Sequence, residues 1–152
     1  MPLSTLLRAV LTAATLGAVP GAEPVTIYIG PMERDGFVDA DKGVLDSVKD
    51  LKNNIRGKRE FQVVQTKEAA TLHFFVVKRF RGADLAGAAI PVGGITMVLP
   101  VEGKAVQCLL RVGTHEKGFV AEDDTWGDAA GKLVNDLRVW LQVNRERLPK
   151  QP

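Results

Sequence analysis

Cysteine is almost missing from this chain. Cys108 is the only one, so no intramolecular disulfide can form and packing has to carry the stability. Imidazole is nearly as scarce: His73 and His115 are the only two, which leaves little material for a metal centre or an acid–base dyad. No C-x-x-C, G-x-S-x-G or dinucleotide-binding glycine fingerprint is present, so no cofactor is expected. Charge of one sign is lacking too. The formal net charge is +2 and the bases are interspersed with acids, which argues against a nucleic-acid partner. After the first 22 residues no apolar run could span a bilayer, so no integral membrane segment is expected there. What is there is ordinary: 152 residues, 45% hydrophobic and 25% charged, enough for a single core.

The amino terminus has the three-part layout of a secretory signal peptide. Met1 to Arg8 carries one positive charge, Ala9 to Val19 is apolar, and Pro20-Gly21-Ala22 breaks the run. The expected organisation is therefore a signal peptide over 1–22, one α+β domain over 23–148 and a disordered tail over 149–152, with a periplasmic or secreted location.

The clearest element is the last. Trp126, Ala129, Ala130, Leu133, Val134, Leu137, Trp140 and Leu141 recur at helical spacing, so the pattern predicts an amphipathic helix clamped on a large apolar surface through both tryptophans. Asp128, Lys132, Asn135, Asp136 and Gln142 form its wet face, Thr125 with Asp128 its cap, and Pro149 its stop. An earlier helix is predicted from Lys42 to Arg56, with stripe Val44, Leu45, Val48, Leu51 and Ile55, N-cap Asp41 and left-handed C-cap Gly57. Strands are predicted at Val25–Ile29, Phe61–Gln65 and Thr71–Arg79. In the last, Leu72, Phe74 and Val76 share one face while His73, Phe75 and Val77 share the other, as in a central strand covered on both sides. Ile95–Val101 and Lys104–Val112 are expected to pair as a hairpin across Glu102-Gly103, with Pro100 at an edge or bulge. The polar stretch from Met32 to Gly43, with the turn signal Asp35-Gly36, the Gly- and Ala-rich stretch from Phe80 to Gly94, and the charged stretch from Thr114 to Asp124 are expected as loops. The sum is a mixed five-stranded sheet, β-α-β-β-β-β-α, with two helices packed on it, most simply on one face.

Candidate chemistry is thin. His115-Glu116 begins a zinc motif that Phe119 breaks, and Gly127-x-x-x-Gly131-Lys132 is a phosphate-loop look-alike inside a helix. Asp39-x-Asp41, with Asp46 and Asp50, begins like a calcium loop, but Gly43 and Val44 fall at the wrong positions. Cap and surface roles explain these acids better. Glu122, Asp123 and Asp124 suit the positive end of the following helix. Cys108 shares the parity of Val106, Leu110 and Val112, which puts the thiol in the core. His73, between Leu72 and Phe74, reads as a buried, hydrogen-bonded histidine. No catalytic or metal-ligating residue is assigned, and whether the chain is an enzyme is left open.

Four stretches together carry a resemblance: Asp46-Ser47-Val48-Lys49-Asp50-Leu51; Phe61-Gln62-Val63-Val64; Glu68-Ala69-Ala70-Thr71-Leu72; and Trp126 to Leu133 with Trp140-Leu141. The chain resembles small exported bacterial α/β proteins. More loosely it is similar to envelope domains such as the amino-terminal domain of the Tol-Pal translocation protein and the curli-secretion lipoprotein group. It lacks the lipid-carrying cysteine of the lipoprotein members, and Ala70-Thr71 stands where they have Ala-Asp. The resemblance implies a fold and an envelope setting and transfers no active site.

The function expected is an exported, non-enzymatic domain that binds a protein or envelope partner through a sheet edge or the 80–94 loop. The binding candidates are Phe80, Arg81, Leu85 and Ile90 in that loop, with His73 and Phe75 on the second sheet face. The rivals are a small periplasmic hydrolase or metal-dependent enzyme using His73 or His115, and a carrier of lipid or another small ligand.

Overall fold

The computed structural model describes residues 22–38, 41–81, 89–92, 95–98 and 103–150, with only the backbone of 89–92 and 95–98. Residues 1–21 of the expected signal peptide lie outside the described residues. The elements run β1 (Val25–Pro31), β2 (Glu33–Arg34), β3 (Phe37–Val38), α1 (Lys42–Ile55), β4 (Phe61–Val63), β5 (Leu72–Arg81), β6 (Ala89–Val92), β7 (Ile95–Val98), β8 (Lys104–Val112), β9 (His115–Asp123) and α2 (Trp126–Asn144). A 3₁₀ turn, Arg145–Arg147, follows.

The main sheet has five strands in the order β4-β1-β5-β8-β9. β1 runs parallel to both β4 and β5, while β5–β8 and β8–β9 are antiparallel, so the sheet is mixed. β4 ends opposite Ile27 and β5 begins opposite Ile27. The chain therefore only steps across β1, and no long parallel crossover is needed. Bonds from Val64 N–H to the Ile27 carbonyl (2.9 Å) and from Thr71 N–H to the Thr26 carbonyl (3.1 Å) hold that step.

Both helices pack on one face of the sheet, α1 against β1 and β5 and α2 against β8 and β9. Ile27, Leu72, Phe74, Val76, Val106, Cys108 and Leu110 of the sheet meet Leu51, Ile55, Leu133, Leu137 and Leu141 there, all essentially inaccessible. Asp41 caps α1, accepting from Gly43 N–H (2.8 Å) and Val44 N–H (3.2 Å). Thr125 caps α2, accepting from Asp128 N–H (3.0 Å) and donating to the Asp128 carboxylate (2.7 Å). Pro149 follows Leu148, whose extended backbone (ψ 144°) is what a residue before proline prefers.

Several expectations are corrected. Ile95–Val98 pairs with Ala89–Val92 and not with β8, so β6–β7 is a separate hairpin whose first strand lies in the expected 80–94 loop; Pro100 lies outside the described residues. The charged stretch after Val112 is not a loop but the edge strand β9, entered through Gly113 at φ +58°, which favours glycine. The stretch after β1 contains the β2–β3 hairpin, turned at Asp35 (φ 51°) and Gly36 (φ 81°). At the end of α1, Arg56 stays right-handed and Gly57 takes no positive φ. Its stripe includes the buried Ser47, whereas Leu45 is 44% exposed. The tryptophans are half-buried at the core's margin and not sunk within it.

β5 carries a bulge between Val76 and Lys78. Before it, Phe74 and Val76 face the helices. After it Arg79, opposite Val106, faces them, while Phe80, opposite Ala105, joins the other face. The expected alternation through Val77 to Arg79 is thereby broken.

Candidate functional site

On the helix-free face, the strands present Tyr28 from β1, His73 and Phe75 from β5, and Arg111 from β8 at one end. Phe80, Ala105 and Gln107 stand at the other. The two ends differ. Phe80, Ala105 and Gln107 are buried, whereas Tyr28, His73 and Arg111 are half-buried and reach solvent. The side-chain amide of Gln107 has no hydrogen-bond partner among the described residues.

At the half-open end three rings meet edge to face. Their centroids are 6.5 Å apart for Tyr28–His73, 6.2 Å for Tyr28–Phe75 and 6.2 Å for His73–Phe75. The Tyr28 ring folds back over Gly30, where an added Cβ would meet the phenol oxygen at 2.6 Å, so any larger residue at 30 would displace the ring. The Arg111 guanidinium lies 5.4 Å from the Phe75 centroid and pairs with Glu116 at 2.8 Å. His73 Nε2 is 2.8 Å from the Lys67 carbonyl, so this nitrogen is the donor in the neutral ring. The Lys67 ammonium in turn bonds the Glu33 carboxylate of β2, and that bond, foremost, raises the Lys67 pKa above its ordinary value.

This chain of contacts braces the β2–β3 hairpin beside the aromatic cluster. The hairpin holds out Phe37 at 81% exposure and Val38 at 53%, two of the exposed large apolar side chains among the described residues. Single exposed apolar residues are common, and these two, consecutive in one strand, point to opposite faces of the hairpin.

The other candidates are placed as follows. Arg81 is exposed at the end of β5; Ile90 is in β6, opposite Met97; Leu85 lies outside the described residues. Phe75 and Phe80 are buried, at 2% and 3% exposure, so they support the face and do not contact solvent. Cys108 is fully buried on the helix side, where desolvation pushes its thiol pKa far up. His73 is on the opposite face, so these two cannot form a dyad. His115 is exposed on β9. Among the described residues no three His, Cys, Asp or Glu side chains gather as a metal set, and no helix is long and apolar enough to cross a membrane.

The acids of the calcium-like stretch serve Arg79. Its guanidinium approaches Asp50 at 3.5 Å and Asp46 at 4.0 Å, donates to Ser47 Oγ at 3.0 Å, and stacks 4.3 Å from the Trp126 ring. Asp39 lies outside the described residues. A shallow groove runs past this cluster between α1 and the start of α2, with Lys49, Asn53 and Lys104 on its rim. The residues sequence reasoning missed are Phe37, Val38 and Arg111. Their only signal was the turn pair Asp35-Gly36 and the parity of β8. Neither family models nor curated proteins match this chain.

Proposed function

We propose that this is an exported domain that binds a protein or another component of the cell envelope and does not transform it. Export rests on the leader pattern of residues 1–22, and the envelope setting on the resemblance of the helix and strand motifs to exported bacterial α/β proteins. Phe37 carries the binding role: an aromatic side chain left 81% exposed on a short hairpin, beside a half-open sheet face of Tyr28, His73 and Arg111. Exposed aromatics and arginine are the residue types that anchor protein interfaces. The partner lies across the hairpin and the open end of the helix-free face, with Phe37 as its apolar anchor and Arg111 and Lys67 on the polar rim.

Site-directed photocrosslinking tests this. A benzophenone side chain at position 37 is expected to give a discrete heavier adduct in the envelope fraction. The same group at position 45, exposed on α1, gives none. Identical adducts from both positions, or none from position 37, would overturn the reading.

A further inference from the structure

β9 is a nine-residue strand at the rim of the sheet, and among the described residues no strand lies on its outer side. Such an edge is a template for another strand. A second feature runs beside it. The Lys132 ammonium of α2 bonds the Glu122 carbonyl (2.9 Å) and the Asp123 carboxylate (3.1 Å), which fixes the flank of α2 that overhangs β9. At 3.6 residues per turn, Asp136, Val139 and Val143 lie on that same flank, at offsets of four, seven and eleven from Lys132. Val139 is 61% and Val143 73% exposed, the two large apolar groups α2 leaves in solvent.

From this edge and flank we infer that a second copy of the chain docks on β9, strand against strand and antiparallel about a two-fold axis. The axis must stand perpendicular to the sheet, because each continued strand has to keep its helix face with the helix face of its partner. Residues directly opposite then share parity. One register satisfies this and also matches charge: Val120 opposite its own copy, Phe119 opposite Ala121, Gly118 opposite Glu122, and Lys117 opposite Asp123 twice. Sliding by two residues the other way sets Glu116 against Glu122 twice, a repulsive pairing. The inference does not depend on the hairpin reading above, since β9 belongs to the five-stranded sheet and Phe37 to the separate β2–β3 hairpin.

Sedimentation equilibrium of the purified protein is expected to show a dimer at tens of micromolar. V139D/V143D, at positions already exposed, is expected to sediment as a monomer with an unchanged melting temperature. Opposite residues in an antiparallel pair have Cα atoms about 4.5–5.5 Å apart, within disulfide reach. Under mild oxidation V120C is therefore expected to form a covalent dimer, while G118C and E122C alone do not. A wild-type monomer at several hundred micromolar would overturn the inference, as would cross-linking by G118C but not V120C. Loss of the Phe37 adduct with the dimer intact would strike only the hairpin reading, and a monomer that keeps the adduct would strike only this one.

Discussion

Leu137 and Trp140 are neighbours on one helix, yet they are expected to respond differently to truncation. Leu137 is fully buried, so Leu137→Ala should cost about 2–5 kcal/mol, transfer plus cavity. Trp140 packs on the core with part of its ring in water, so Trp140→Ala should cost less, on the order of 1–2 kcal/mol by the area it hides. Urea denaturation of both variants checks the order; equal losses would mean that the tryptophan is as deeply held as the leucine. Arg79 poses a different question, since one guanidinium serves Ser47, Asp50 and a tryptophan face at once. Arg79→Lys keeps the charge but cannot reproduce the planar stack with the Nε bond. It is expected to recover less than half of the roughly 1–3 kcal/mol lost in Arg79→Ala, by the same measurement.

Turns and caps decide where the elements begin. Gly113 turns β8 into β9 at φ +58°, and Gly113→Ala should cost about 1 kcal/mol by placing a Cβ in the left-handed region. A melting curve that matches wild type would refute that. The helices were readable because cap and stripe agree: Asp41 and Thr125 sit just before apolar residues spaced three and four apart. β9 was not readable. Its His115, Glu116, Lys117, Glu122 and Asp123 make a charged run, which is how an edge strand is kept from indiscriminate pairing and also what a loop looks like. The β6–β8 stretch misled for another reason. Three apolar segments were available to pair, and only tertiary contact decides that β8 takes β5 and β9 while β7 takes β6. Of the candidate site, His73 and Phe75 were found from alternation alone. Phe37 was passed over because a two-residue strand has no periodicity to detect.

For the molecule as a whole, acid should loosen the join between the helix layer and the strand edge. Burial alone would raise the Glu60 pKa, but hydrogen bonds from Arg138 and its own backbone, with the charges of Arg138 and Lys58, hold it below the ordinary value. Arg138 bonds it at 2.6 Å from the far side of α2. A folded pKa below the unfolded one gives stability that is complete above the unfolded value near 4.5 and lost as pH falls through the folded one. Stability should therefore fall as the pH drops below about 4.5, and Glu60→Gln should flatten that limb in urea titrations at each pH. The bulge at Val77 reaches further than its size suggests. It resets the in–out count halfway along β5, so a deletion of one residue there would exchange the surroundings of Arg79 and Phe80, sending a cation to the aromatic side and a phenyl ring among the α1 carboxylates. Replacing Val77 by another residue leaves that count alone. Length, more than identity, is what this position must conserve.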